Sequence, residues 1–401
     1  METPTSVVKN LFPFKGYKVF VLQNKTDILI GLKSRNKCGI CPCCNKRCSN
    51  VETEYERTVR DLNLAQHKCF LRFSQKKIRC SCGYRGLEKL DFISKSRRVT
   101  TRMETYVVSL CEKMSLKETS EIVELDWKTI KNIDREYIKS LLPKISDLNI
   151  VRIAIDEIAI MKGHKYLTII RDYDTGIVIK MILGRDYEMV ANALKDLGKE
   201  KLDKILYASL DMWDPYIKAI KELCPNAKLV FDKFHVIKKV NEALDKVRKT
   251  EFSSADSEER INMKHKRFII LKREENLNQD EKEELKFLMQ KNEKLFKAYL
   301  LKEQILSIFD DKLSSFDQIS TRLNLWFENV LSSDIEEFFG VLNTMYNYFY
   351  GILNYFKYNM TNAIAEGFNT KINIIKRRAF GFSDIEYFML KIYQSSVRRL
   401  A

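Results

Sequence analysis

Four acidic residues sit at positions in the sequence that suit metal chemistry. The apolar run IVRIAIDEIAI predicts a strand that ends at Asp156 and Glu157, Asp211 follows KILYASL, and Asp232 follows AKLVF. Side chains at the ends of neighbouring strands meet at one edge of an open α/β sheet, where such sheets bind ligands. Glu366 is the lone acid of NAIAEGFNTKINIIKRRAFGF. Carboxylates are the ligands that Mg²⁺ prefers, and two ions about 4 Å apart hold the attacking and leaving oxygens of a phosphodiester.

Each of these acids also has an ordinary structural interpretation. An Asp after a strand often caps the helix that follows, and for any one position alone this explanation is at least as strong. In the last segment Phe368 and Ile372 recur at helical spacing on a buried face, and Glu366 and Asn369 lie on the neighbouring stripe. A lone acid there is either a solvated surface residue or a metal ligand facing a polyanion.

Eight of the ten cysteines lie between residues 38 and 82. They form two main thiol clusters about 35 residues apart, as is typical of a tetrahedral zinc ribbon or treble-clef-like module. The second cluster is unusual, because one residue separates its cysteines where two to four are typical. We expect one structural Zn²⁺ bound by Cys41, Cys44, Cys80 and Cys82. The alternative ligands are Cys38, Cys43 and Cys48.

Residues 103–142 have the pattern of three helices. One helix is predicted to end near Val123, and Asp126 is placed as the N-cap of the next. This arrangement indicates a helix-turn-helix. On the last helix we expect an inward apolar face of Trp127, Ile130 and Ile133. Its outward face, directed at a DNA groove, is predicted to carry Lys128, Lys131, Asn132 and Arg135.

Residues 150–232 change from helical to strand periodicity. Three antiparallel strands, the last two joined through a turn at residues 174–176, are followed by alternating helices and strands. This order predicts a ribonuclease-H-like α/β layer. From about 233 to 360 the pattern is helical, and its first apolar stripe consists of Phe234, Ile237, Val240, Leu244 and Val247.

The charge of the chain is unevenly distributed. The 401 residues are 45% hydrophobic and 31% charged, as in a folded protein of several domains. The net charge of +16 is concentrated in residues 1–100, which carry +13, and in residues 350–401, which carry +5. Because neutralising phosphates supplies much of the affinity for nucleic acid, this pattern favours a polyanion held at two places.

The sequence gives no sign of a membrane or export segment. Apolar runs stay below the roughly 18 residues needed to span a bilayer, and the N-terminus lacks the pattern of a signal peptide. We therefore expect a cytoplasmic protein with no membrane partner.

Four motifs resemble the bacterial insertion-sequence transposases of the ISL-three family, within the DDE superfamily: IAIDEIA, SLDMWDPY, VFDKFHVIKKVNEALDKVR and NAIAEGFNTKINIIKRRAFGF. The resemblance runs from the cysteines to the C-terminus. It implies a ribonuclease-H-like catalytic core interrupted by an all-helical insertion and preceded by zinc-binding and helix-turn-helix modules. Glu366 lies 155 residues beyond Asp211, and this long spacing fits such an insertion.

The resemblance also implies residue roles. Asp156, Asp211 and Glu366 would be the catalytic acids that bind two Mg²⁺ ions, with Mn²⁺ as the alternative metal. Asp232 and His235 match an auxiliary Asp-x-x-His motif. Further DNA contacts are expected from the basic linker and the last catalytic helix, namely Arg97, Arg98, Asn369, Lys376 and Arg377.

This interpretation divides the chain into five segments. They are a cysteine-rich zinc-binding module (1–95), a helix-turn-helix domain (96–148), the first part of the core (149–240), the helical insertion (241–358), and the last catalytic helix with the rest of the core (359–401). The expected partner is double-stranded DNA, both element ends and target. We expect a homodimer or higher oligomer on that DNA, in the bacterial cytoplasm and at the nucleoid.

The expected function is a transposase that binds terminal inverted repeats, cleaves phosphodiester bonds by two-metal hydrolysis and joins 3′-OH ends to target DNA. Two other functions remain open. A structure-selective nuclease of ribonuclease-H-like fold needs the metal site but not the two N-terminal modules. A non-catalytic zinc-containing DNA-binding regulator needs the modules but no acidic triad. Mg²⁺-dependent cleavage followed by joining distinguishes the three.

Overall fold

The structure, a computed structural model, shows two compact units within the chain. The first consists of Met1–Leu141 and Ile375–Lys391, and the second of Leu142–Ile374 and Ile392–Ala401. In the described part of the chain, no helix has the length and apolar character needed to cross a bilayer. The described residues are 12–22, 26–94, 97–161, 165–311, 313–360, 363–379 and 381–397, without the side chains of 161, 165 and 363–366.

Seven strands open the first unit. They are β1 (Tyr17–Leu22), β2 (Ile28–Ser34), β3 (Gly39–Ile40), β4 (Arg47–Cys48), β5 (Val51–Leu64), β6 (His67–Arg79) and β7 (Arg85–Leu87). The strands β3 and β4 pair with each other, and the other five form one sheet in the order β1-β2-β6-β5 with β7 on β6. The sheet buries Val59, Leu71 and Phe73.

Two of these strands are longer than the short apolar runs of this region indicate. Strand β5 has 14 residues and β6 has 13, and they pair antiparallel along most of their length. Exposed charged residues such as Glu54 and Glu56 interrupt the apolar pattern of β5. These interruptions divide the hydrophobic pattern of one long hairpin into short runs, so that the sequence alone suggests separate strands.

Three helices follow the sheet, as predicted: α1 (Thr101–Cys111), α2 (Leu116–Val123) and α3 (Trp127–Leu141). A capping box between Ser115 and Glu118 starts α2, and Glu124, in the left-handed conformation, ends it. The Asp126 carboxylate accepts hydrogen bonds from the backbone N–H of Lys128 at 3.0 Å and of Thr129 at 3.3 Å. The predicted N-cap of α3 is therefore confirmed.

The inward face predicted for α3 is correct except at its first residue. Ile130 and Ile133 are buried, with 0% and 3% of their surface exposed. Trp127 is 48% exposed, so the prediction that it packs inward is wrong. It occupies the first position of the helix, and the Nζ atom of Lys128 lies 5.8 Å from its ring centroid.

The second unit contains a mixed five-stranded sheet. Its strands are β8 (Arg152–Met161), β9 (Lys165–Asp172), β10 (Val178–Leu183), β11 (Tyr207–Leu210) and β12 (Lys228–Phe231). Their order is β10-β9-β8-β11-β12, with antiparallel pairs among β8, β9 and β10 and parallel pairs among β8, β11 and β12. Three helices connect them: α4 (Tyr187–Lys195), α5 (Lys199–Lys204) and α6 (Asp214–Leu223). The predicted order of three antiparallel strands and then alternating helices and strands is confirmed.

The described residues after β12 are helical and contain no further strand. The helices are α7 (Lys233–Ser254), α8 (Ser257–Met263), α9 (Arg267–Leu271), α10 (Gln279–Lys291), α11 (Glu293–Asp310), α12 (Phe316–Ser332), α13 (Glu336–Asn347), α14 (Phe349–Tyr358), α15 (Ala363–Arg378) and α16 (Ile385–Val397). Val240, Leu244 and Val247 of α7 are fully buried, as predicted. Phe234 is 51% exposed, which corrects the first position of that stripe.

Candidate metal centres and DNA-facing residues

Strand register in the second unit brings three of the predicted acids to one edge of the sheet. Strand β11 lies between β8 and β12 and is parallel to both. The register pair Ser209 and Ala154 precedes Asp211 and Asp156 by two residues on each strand. Strand β12 ends one residue before Asp232. The continued register therefore sets all three acids at the same level, where β11 and β12 end. Strand β8 continues past Asp156 to Met161, so the prediction that this strand ends at Asp156 is wrong.

Asp156 is held in a fixed orientation. Its Oδ2 atom accepts a hydrogen bond from Nδ2 of Asn369 at 2.7 Å, and its Oδ1 atom accepts one from the backbone N–H of Glu157 at 2.8 Å. Burial, followed by repulsion from Asp211, raises the pKa of this carboxyl group. A divalent cation would relieve this repulsion, and the carboxylate oxygens present suit Mg²⁺.

His235 lies directly against Asp211, with 2.5 Å between Nε2 of the imidazole and Oδ1 of the carboxylate. Burial acts to lower the pKa of His235, but the contact with Asp211 outweighs it, so that the pKa is raised. Asp232 occupies the N-cap position of α7, yet its carboxylate makes no capping hydrogen bond to that helix. The structure thus places the Asp-x-x-His motif beside Asp211.

Glu366 lies in α15, but its side chain is outside the described residues. The same helix is anchored to the sheet by Asn369, which contacts Asp156, and by Phe368, whose ring centroid lies 4.7 Å from the guanidinium of Arg171. Residues three apart on a helix share a face. Glu366 as the third acid therefore stays a prediction, on the helix face that meets Asp156.

The four predicted zinc ligands come together in the first unit. The sulfur atoms of Cys41, Cys44, Cys80 and Cys82 all lie within 4.8 Å of one another. Sγ of Cys41 lies 3.7 Å from Sγ of Cys82, and Sγ of Cys44 lies 3.6 Å from Sγ of Cys80. A tetrahedral Zn²⁺ with Zn–S bonds of ~2.3 Å requires sulfur separations of ~3.8 Å. No other group of three or more potential ligands was found among the described side chains.

A tight turn explains how the short spacing in the second cluster works. The backbone N–H of Gly83 donates to the carbonyl of Cys80 at 3.1 Å, and the N–H of Cys80 donates to the carbonyl of Tyr84 at 2.8 Å. Gly83 has φ of 90°, a value that favours glycine. A hydrogen bond from the backbone of Cys82 and the neighbouring thiols lower the pKa of Cys80 to about 6. Cys80 is therefore available as the thiolate that metal ligation requires.

The alternative cysteine ligands lie apart from this cluster or are engaged elsewhere. Cys48 donates a hydrogen bond from its thiol to the carbonyl of Arg79 at 2.8 Å. Cys38 and Cys43 are not members of the four-sulfur group, although all three belong to the same cysteine-rich stretch. The geometry thus selects among the ligands that the sequence left open.

The outward face of α3 is only partly free. Lys131 Nζ and Arg135 Nη2 each lie 2.7 Å from the same Asp384 carboxylate oxygen. Lys128 and Asn132 are exposed. The sequence predicted four residues directed at DNA, and the structure shows two of them paired with one acid from the C-terminal part of the same unit, which balances one of their two charges.

The other predicted DNA contacts differ in their surroundings. Arg97 is paired with Glu104 at 3.4 Å and with Glu136, and only 17% of its side chain is exposed. Arg98 and Arg377 are exposed. Lys376 is half-buried.

The contact made by Asn369 was not predicted from the sequence. It was predicted as a DNA contact, and the structure shows its amide bonded to Asp156. Its position three residues after Glu366, on the same helical stripe, was the available signal.

The two-unit chain therefore combines a four-cysteine cluster, a helix-turn-helix and an α/β sheet with acids at one edge. This is the organisation of a DDE-type insertion-sequence transposase. A family model described as a transposase of the ISL3 type matches residues 153–392. A model of the helix-turn-helix domain of transposase family ISL3 matches residues 88–138, and one of the zinc-finger of transposase IS204/IS1001/IS1096/IS1165 matches residues 38–82. The chain belongs to the ISL3 family of transposases, which confirms the resemblance seen in the sequence.

Curated relatives align over most of the chain. The transposase for insertion sequence element IS1001 of Bordetella parapertussis is 28% identical over 394 residues, which cover 96% of this chain and 97% of that protein. The transposase for insertion sequence element IS1557 of Mycobacterium tuberculosis is 24% identical over 365 residues, covering 84% and 82%.

Proposed function

We propose that this transposase binds the terminal inverted repeats of an insertion sequence, cleaves phosphodiester bonds by two-metal hydrolysis and joins the 3′-OH ends to target DNA. The observation that carries the proposal is the register of β8, β11 and β12, which sets Asp156, Asp211 and Asp232 at one level. Family membership adds the reaction class, and the basic ends of the chain add the polyanionic partner.

The proposed metal ligands are Asp156, Asp211 and Glu366. Mg²⁺ bound there, or Mn²⁺, would supply a nucleophile from water and neutralise charge that develops on the phosphate. Asn369 orients Asp156 through its hydrogen bond, and His235, in the first turn of α7, positions Asp211. The protein thus contributes fixed oxygen ligands whose mutual repulsion favours cation binding.

The sheet order and the long helical stretch also support a ribonuclease-H-like core with an all-helical insertion. In this proposal the core comprises 149–240 and 359–401, and the insertion comprises 241–358. The zinc-binding module covers 1–95 and the helix-turn-helix domain 96–148. We further propose that the protein works at the nucleoid as a homodimer or higher oligomer, since two ends must be joined to one target.

The test is cleavage of a duplex that carries the terminal repeat of the element and its flanking DNA. Asp156→Asn, Asp211→Asn and Glu366→Gln are each expected to abolish Mg²⁺-dependent cleavage while leaving the melting temperature and binding of terminal DNA intact. The matched control is Asp196→Asn, which removes a surface acid of the same unit paired with Lys180 at 3.1 Å. This control should cleave normally.

Three outcomes would change the proposal. Retained cleavage by Asp211→Asn, with loss in Asp232→Asn, would reassign the second metal ligand. Cleavage without joining to target DNA would favour a structure-selective nuclease. Binding of terminal DNA without any metal-dependent cleavage would favour a non-catalytic regulator.

A further inference from the structure

A small cavity of about 210 Å³ opens beside the proposed metal ligands in the second unit. Asp211 and His235 line it together with Arg185, Trp213, Lys238 and Lys239. Its volume is below the roughly 300 Å³ at which drug-sized ligand pockets begin. The cavity therefore suits one flat ring system next to the reacting centre, and it cannot admit a base pair.

Trp213 offers a rigid surface in this cavity. The guanidinium of Arg185 lies 4.4 Å from the ring centroid of Trp213 and 4.4 Å from that of Tyr166, so it is stacked between the two rings. The indole N–H of Trp213 donates a hydrogen bond to the backbone carbonyl of Arg185 at 3.2 Å. Trp213 nevertheless remains 38% exposed. The guanidinium fixes one face of the indole and the hydrogen bond fixes its edge, while the rest of the ring stays exposed. The indole is therefore preorganised for stacking.

Lys238 and Lys239 supply positive charge to the same cavity. They follow His235 by one helical turn on α7, so they lie on its side of the helix. Both are exposed, and neither has an ion pair with any acid in the described part of the chain. Arg185, by contrast, is paired with Glu157 at 3.4 Å. Glu157, Asp211 and Glu242 also line the cavity and equal its Lys and Arg residues in number, so the two lysines supply local rather than net positive charge there.

We propose that this cavity binds one unpaired nucleotide of the DNA end next to the scissile phosphate. Its base stacks on Trp213, and a flanking phosphate contacts Lys238 and Lys239. Aromatic stacking is tolerant of base identity and lysine binds phosphate as a point charge, so the site holds the end in place without reading its sequence. This inference rests on the proposed cleavage of terminal DNA and names the subsite that positions it.

The direct test uses 2-aminopurine, whose fluorescence reports whether a base is stacked. The probe is placed in turn at each nucleotide around the cleavage site of the terminal duplex, and the full-length protein is added without divalent metal. One position is expected to change its fluorescence when the unaltered protein binds. That change should be lost with Trp213→Ala and kept with Trp213→Phe, which preserves an aromatic surface.

Cleavage provides the second readout. Trp213→Ala and the double variant Lys238→Ala/Lys239→Ala are each expected to lower the cleavage rate at least about tenfold at saturating DNA, while Trp213→Phe stays within about twofold. Lys246→Ala, an exposed lysine of the same helix that does not line the cavity, is the matched control and should cleave normally.

The outcomes separate this subsite from the proposed function. Normal cleavage by the unaltered protein, with no probe position responding and with unchanged rates in the Trp213 and lysine variants, would overturn the subsite alone. Absence of metal-dependent cleavage by the unaltered protein would overturn both. If Trp213→Ala fails to fold, the lysine double variant and the probe scan of the unaltered protein still test whether the subsite exists.

Discussion

Replacing His235 isolates the contribution of one positioning contact to the proposed cleavage. Its Nε2 atom lies 2.5 Å from Oδ1 of Asp211, and about a quarter or less of either side chain is exposed: 26% for the histidine and 20% for the aspartate. A hydrogen bond to a charged group is worth about 1.5–3 kcal/mol. Because both groups retain some contact with solvent, we expect the lower end, about 1.4 kcal/mol of barrier or a tenfold loss of cleavage rate in His235→Ala.

The assay must separate positioning from stability. Cleavage of the terminal duplex is measured over a range of Mg²⁺ concentrations, together with melting temperature and DNA affinity. A positioning role predicts a lower rate at saturating DNA and a need for more Mg²⁺, because Asp211 is no longer held in place. His235→Gln keeps an N–H donor near the same point and should recover most of the rate. Lys246→Ala is the control on the same helix.

Two results would refute this reasoning. Near-normal cleavage by His235→Ala with only a lower melting temperature would make the contact structural. An equal loss in His235→Gln and His235→Ala would show that the donor to Asp211 is not what matters.

Two more predictions concern the first unit. Removal of zinc is expected to unfold the four-cysteine module and weaken binding of terminal DNA, because thiolate ligation couples metal binding to local folding. Cys80→Ser should do the same and Cys43→Ser should not; a zinc-free sample with normal binding would contradict this. Lys128→Ala is expected to reduce the preference for terminal over random DNA, whereas Arg98→Ala should weaken binding of both. Equal losses in gel-shift titrations would assign α3 a structural role.

The acids at the edge of the sheet were predictable, because the hydrophobic periodicity of a strand and the register between neighbouring strands depend on short stretches of sequence. An apolar run of strand period fixes where a strand ends, and parallel neighbours bring their ends to one edge. Asp211 and Asp232 follow from this rule, whereas Asp156 lies inside β8, which continues to Met161, and reaches the same level through its register with β11. The zinc ligands were predictable for a similar reason, since two turns rich in cysteine leave few combinations. Cys82 was predicted despite its unusual spacing from Cys80, and the turn at Gly83 explains how that spacing brings both sulfur atoms to one site.

The remaining features depend on side chains from elements far apart in sequence. Arg185 stacks between Tyr166, on β9, and Trp213, which precedes α6. Periodicity assigns a residue to a face but gives no partner on another element. The errors at Trp127 and Phe234 share a cause, because both are in the first turn of a helix. A helical stripe is buried only where a neighbouring element covers it, and periodicity does not show where that cover ends.

Asp384 changes how the DNA-facing surface of the first unit should be understood. Its Oδ1 atom accepts a hydrogen bond from the backbone N–H of Tyr387 at 3.0 Å, while its other oxygen forms ion pairs with both Lys131 and Arg135. The middle of α3 is thereby engaged within the protein. The exposed residues Trp127 and Lys128 lie in its first turn, where helix-turn-helix recognition helices contact base edges and where the helix dipole favours phosphate. We therefore expect sequence discrimination to arise from the N-terminal end of α3.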